Sequence, residues 1–156
     1  MNKAPQMLAV DDAVARVTDA FNVLPAEQVA LPDALGRVLA EDVAARLTQP
    51  PVAVSSMDGY AVRASDVSDV PATLKQVGMS QAGLGFSGVV EAGQCTRIFT
   101  GAPLPNGADT VIIQEVTDVQ GDQITIKETA KLGADIRPAG LDFSVGDVLL
   151  HAGKRL

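Results

Sequence analysis

Three stretches of this sequence carry residues able to do chemistry. The first, SSMDGYAV, begins at Ser55 and sets an Asp-Gly pair, Asp58-Gly59, between Met57 and Tyr60. Two readings stand. In one, the pair is a turn: Gly59 takes positive φ, and Met57 and Tyr60 pack beneath it. In the other, the turn projects a short carboxylate from a rigid support, so that Asp58 holds a magnesium ion or a water, with the hydroxyls of Ser55 and Ser56 nearby. The second stretch, TGAPLPNGADTVIIQE, begins at Thr100. Pro103 and Pro105 stiffen it. It is either a long connection between strands or a holder for an oxyanion, to which the Thr100 hydroxyl and the Gly101 amide both donate. It lacks the GxxxxGK[ST] pattern, so it is not a nucleotide P-loop. The third, GADIRPAGLDF, gathers Asp135, Arg137 and Asp142 in a segment punctuated by Gly and Pro. These are either solvated loop charges or, for Arg137 and Asp142, the lining of a charged substrate cleft.

Composition narrows the chemistry further. The 156 residues include 12 basic and 19 acidic side chains, for a net charge of −7. No Lys/Arg cluster is present to displace counterions from a nucleic acid, and an acidic surface disfavours anionic lipid. No apolar run approaches the length of a membrane span, and no signal peptide is visible, so the cytoplasm is the expected compartment. A single cysteine, Cys95, excludes an internal disulfide. With a single histidine, His151, it also excludes a zinc site of the Cys/His type within the chain. Any metal held here needs oxygen ligands, which points to a hard cation such as magnesium.

These residues need elements to position them. Leu8, Ala13, Val14, Val17, Ala20, Phe21 and Leu24 recur at helical spacing, which predicts helix through the first thirty residues, capped by Asp11 or Asp12 and stopped at Pro25. PDALGRVLA predicts a second helix, with Pro32 in its first turn, and EDVAARL a strand leaving it. From Pro50 the character changes to short Val-, Ile- and Thr-rich runs separated by Gly, Pro, Asn and Asp: PATLKQVGM, QCTRIFT, DTVIIQEV and DQITIKE. In the last of these, Ile124 and Ile126 alternate with Gln123, Thr125 and Lys127, and a hairpin is expected at Gly121-Asp122. Aromatics are only 3%. Small aliphatic side chains must therefore fill the core, which suits thin sheet layers. The expected fold is mixed α+β: N-terminal helices with a β-rich inserted subdomain. The β-rich middle, beginning at Pro50, is expected to be inserted into the helical part, with the last strand returning to pair near EDVAARL. The ending, AGKRL, without tail or cap, reads as truncated.

SSMDGYAVR, RIFTGAPLPNGADTVIIQE and IRPAGLDFSVGDVLLHAGKRL occur in that order, and LPDALGRVLAEDV precedes them. Together they resemble the N-terminal half of the molybdopterin molybdenumtransferases, the MoeA and gephyrin E-domain family, over essentially the whole chain. The resemblance implies two lobes: N-terminal helices with the returning C-terminal strand, 1–48 plus 137–156, and a β-rich inserted lobe, 49–136. The resemblance implies an enzyme that inserts molybdate into adenylylated molybdopterin with hydrolysis of the adenylate and release of AMP, assisted by magnesium or another divalent ion. It implies catalytic roles for Asp58, Thr100 and Asp142, with Asp58 also holding the metal, and substrate contacts for Ser56, Gly101 and Arg137. Family members continue into a pterin-binding α/β domain and a small β-barrel that are absent here, and they work as homodimers whose cleft lies between subunits. The resemblance therefore implies a chain that supplies one wall of the cleft and is inactive alone. The alternative is a free-standing interaction or dimerisation module that keeps the fold without the reaction.

Overall fold

A computed structural model describes residues 7–156. Among them are one α-helix, α1 (Val10–Thr18), and ten strands: β1 (Val43–Ala44), β2 (Val54–Ser55), β3 (Gly59–Val62), β4 (Ala72–Ser80), β5 (Gln94–Ile98), β6 (Thr110–Ile113), β7 (Thr117–Gln120), β8 (Gln123–Ile126), β9 (Ile136–Arg137) and β10 (Val148–Leu150). The chain forms two compact units. One is Val43–Leu150; the other holds the residues up to Asp42 together with His151–Leu156. Residues 137–150 run with the β-rich unit because β9 pairs antiparallel with β2 and β10 with β1.

The β-rich unit is organised by a six-stranded sheet in the order β6-β3-β5-β4-β8-β7. All its neighbouring pairs are antiparallel except β4 with β5. Strand β3 lies between β5 and β6 and is buried along its whole length. The two-residue period of a strand sends its side chains alternately to opposite faces. Tyr60 and Val62 therefore join Val67, Leu74, Cys95, Ile112, Ile124 and Ile126 in one apolar cluster, while Ala61 joins Ile98, Ala102 and Val111 in the other. The alternation of DQITIKE places Ile124 and Ile126 fully inside, and the expected hairpin forms between β7 and β8 with Gly121 at φ +64°. Burial of the Cys95 thiol in this core pushes its pKa up to about 12.

The expectation of N-terminal helices is not met. Among the described residues α-helix is confined to Val10–Thr18, well short of Pro25, and its N-cap is Ala9 without a side-chain cap; residues 1–6 lie outside the described residues. Asp11 and Asp12 lie in the first turn instead, where negative charge complements the helix dipole. PDALGRVLA forms only a single 3₁₀ turn, Leu31–Asp33. Gly36 then takes φ +80°, which ends any right-handed helix. Beyond it the backbone pairs with the C-terminal stretch: the amides of Gly36 and Leu39 donate to the carbonyls of Leu156 and Lys154, and the Leu156 amide donates to Arg37. Asp42 receives the Ala152 amide at 2.8 Å. Backbone pairing with residues more than a hundred positions away overrides the local periodicity. Ala34 is the sole buried residue described in this unit, and Val10, Val14 and Val17 of α1 are exposed.

Candidate functional site

Asp58 precedes β3, and Thr100 follows β5. The register Gly59↔Ile98 and Tyr60↔Arg97, continued one step, sets Asp58 opposite Phe99 and brings Thr100 within reach. The Thr100 amide and hydroxyl both donate to Asp58 Oδ1, at 2.8 and 2.9 Å. The amide bond first, and the hydroxyl bond second, hold the Asp58 carboxyl below its ordinary value; Arg97 adds to the effect and partial desolvation opposes it. Asp58 is therefore an anion at neutral pH. Its main-chain carbonyl is also fixed, accepting the Gln114 amide at 3.1 Å.

The Asp-Gly pair is not the turn that one reading expects. Gly59 opens β3 in extended backbone and is absent from the positive-φ residues. Glycine is required there for a different reason: a Cβ would lie 1.9 Å from the Ile112 carbonyl oxygen and 2.8 Å from its carbon. Tyr60 is buried, but Met57 is exposed. The turn itself is made by Ser55, whose hydroxyl donates to the Met57 carbonyl at 2.6 Å and accepts the Met57 amide at 3.2 Å. Ser56 contributes its amide, which donates to the Asp135 carbonyl.

Strand β2 is where all three chemical stretches meet. On one side it pairs with β9 through Val54↔Arg137 and Ser55↔Ile136. On the other, the Ser55 amide donates to Ala102, the Gly101 amide donates to Ser55, and the Leu104 amide donates to Ala53. Both donors expected to hold an oxyanion are thus engaged, the Thr100 hydroxyl with Asp58 and the Gly101 amide with the Ser55 carbonyl. Arg137 and Asp142 form a half-exposed ion pair at 2.6 Å. No hydrogen bond or ion pair among the described residues joins that pair to Asp58 and Thr100. His151 lies in the other unit, against Asp42 at 3.6 Å.

Arg97 and Gln114 belong to this site although residue type alone does not single them out. The Arg97 guanidinium donates to the Gly59 carbonyl at 3.0 Å and to Gln114 Oε1 at 2.6 Å, and it stacks over Tyr60 and Phe99 with centroids at 5.2 and 4.8 Å. The one signal in the sequence is a lone arginine within the otherwise uncharged run CTRIF.

No group of three or more His, Cys, Asp or Glu side chains able to hold a metal occurs among the described residues. Asp58 accepts its side-chain hydrogen bonds on Oδ1, and none from the described residues reaches Oδ2. That fits magnesium in its usual manner, with one or two carboxylates and the remaining positions filled by water and substrate phosphate. It does not fit a cage built by this chain. No described helix is long and apolar enough to cross a membrane.

The fold and site define a class: a β-rich domain that presents one pre-oriented carboxylate, clamped by a Thr-Gly loop, at the end of a buried strand. The chain belongs to the MoeA N-terminal region (domain I and II) family, whose model matches residues 8–156. It is similar to the molybdopterin molybdenumtransferase of Haemophilus influenzae, 37% identical over 152 residues, 96% of this chain and 37% of that protein. It is also similar to molybdopterin molybdenumtransferase 2 of Mycobacterium tuberculosis, 38% identical over 130 residues, 81% of this chain and 32% of that protein. A solved structure of the molybdopterin biosynthesis MoeA protein from Pyrococcus horikoshii OT3 superimposes with a TM-score of 0.79 at 35% identity, over 83% of this chain and 35% of that one. The chain spans about a third of the length of these curated relatives.

Proposed function

We propose that this chain forms one wall of a site that inserts molybdate into adenylylated molybdopterin, with hydrolysis of the adenylate and release of AMP. The observation that supports it best is the Asp58–Thr100 clamp, in which the MDGYA and TGAP motifs meet through two hydrogen bonds to one carboxylate oxygen. A carboxylate held anionic at neutral pH is unsuited to donate a proton, so Asp58 acts by its charge and by the lone pairs of Oδ2. Oδ2 accepts a hydrogen bond from a water or substrate hydroxyl, or coordinates magnesium or another divalent ion, which when bound neutralises phosphate charge. Thr100 fixes which oxygen faces outward. Arg137, paired with Asp142, lies on β9 beside β2 and suits an anionic substrate; Ser56 and Gly101 shape the intervening backbone. The remaining wall comes from other parts of a longer, homodimeric protein, so the chain alone is inactive, and the whole works in the cytoplasm.

A second reading, an interaction or dimerisation module, is favoured by one observation: Val10, Val14 and Val17 of α1 lie exposed on one face. Asp58→Ala in the full-length protein separates the two. The enzyme reading expects AMP release and cofactor insertion to fall at least about a hundredfold with folding unchanged. Retained activity would leave Asp58 a structural residue; a parent protein without activity would leave the module reading standing.

A further inference from the structure

The backbone carbonyls and Oδ1 at Asp58 are tied down, and one side chain accounts for much of this. The Asp58 carbonyl accepts from the Gln114 amide, and the next carbonyl, of Gly59, accepts from Arg97. Arg97 also grips the Gln114 side chain, so the strand carrying Asp58 and the segment leaving β6 are joined through one guanidinium. That guanidinium is held flat by Tyr60, directly opposite in the register, and by Phe99, one residue before Thr100. A planar fork with two acceptors and two aromatic contacts has one available orientation, and lysine cannot reproduce it.

From this geometry we infer that Arg97 is a positioning residue: it holds the start of β3 and the Phe99-Thr100 segment at a fixed separation, so that Thr100 keeps both bonds to Asp58 Oδ1 and Oδ2 keeps its outward aim. Its side-chain hydrogen bonds go to Gly59 and Gln114, not to the carboxylate; its charge acts on Asp58 only through space, and its hold on the geometry runs through the backbone and Thr100. The purpose of this arrangement rests on the proposed function, but its test does not, so failure of one is distinguishable from failure of the other.

The test is amide hydrogen exchange by NMR on the isotope-labelled chain, comparing Arg97→Met, Arg97→Lys and Gln114→Leu with the parent. Arg97→Met keeps the stem against the rings and removes the donors. Arg97→Lys keeps the charge without the fork. Gln114 is exposed, so Gln114→Leu removes one anchor with the fold intact. The expected result is that exchange of the Thr100 amide quickens roughly three- to tenfold in all three variants while the amides of Ile124 and Ile126 keep their parental rates. A purely structural role would speed all these amides together, and a purely electrostatic role would be rescued by lysine; either result overturns the inference. Should Arg97→Met fail to fold, Gln114→Leu decides: an unchanged Thr100 amide in that variant overturns it equally.

Discussion

Replacing Gly59 by alanine tests the site at its most constrained point. The methyl group would stand 1.9 Å from the Ile112 carbonyl oxygen and needs about 1.5 Å more room to reach the 3.4 Å of an ordinary contact. All three of its closest neighbours are main-chain atoms of Ile112 and Ile113, so no side chain can rotate away. The strands must separate instead, at the end of the β3–β6 ladder where Gln114 bonds Asp58. Overpacking that moves backbone costs about 1–3 kcal/mol, and an unpaired buried ladder group a further ~1–3 kcal/mol, so the expected loss is about 3 kcal/mol. With a urea slope of about 1.5 kcal/mol/M, the unfolding midpoint followed by far-ultraviolet circular dichroism falls by about 2 M. Gly101→Ala is the control. Gly101 has φ +78° and no neighbouring atom within 4 Å, so alanine there costs only the left-handed conformation, about 1–2 kcal/mol. Gly59→Asn separates the two readings of the Asp-Gly pair. A positive-φ turn accepts asparagine at little cost, whereas the close approach to Ile112 makes asparagine as damaging as alanine. A Gly59→Asn chain within about 0.5 kcal/mol of the parent would refute the close-approach argument.

Two further outcomes follow from single groups. The Thr96 hydroxyl is buried without a partner, so Thr96→Val should raise stability by about 1 kcal/mol, whereas Thr110→Val, which removes bonds to Asp109 and Lys131, should lower it; urea melts that place both changes on the same side would contradict the hydrogen-bond assignment. Because the folded Asp58 pKa lies below its ordinary 3.8, the carboxylate contributes stability above that value and loses it progressively as pH falls towards the folded pKa; the midpoint gap between parent and Asp58→Asn should therefore narrow as pH is lowered from 3.8, and a gap that widens over that range would contradict the clamp.

What was legible in the sequence was legible for local reasons. Alternation in DQITIKE determines that Ile124 and Ile126 share a face, and Gly121 permits the tight reversal between β7 and β8, because both depend on residues a few positions apart. The MDGYA and TGAP stretches marked Asp58 and Thr100 as candidates by residue type. Tertiary structure decided the rest. Helical periodicity in PDALGRVLA lost to backbone pairing with Lys154–Leu156, which no local window contains. The Asp-Gly pair carries the same two letters whether it turns or runs straight; the carbonyl of Ile112, more than fifty residues away, makes glycine obligatory at Gly59. Arg97 reads as an ordinary strand charge until the β3–β5 register sets it opposite Tyr60 and beside Gln114. Residue types proposed the chemistry, but the position of the Asp58 carboxylate is set by strand register, a sum of long-range contacts that local sequence does not encode.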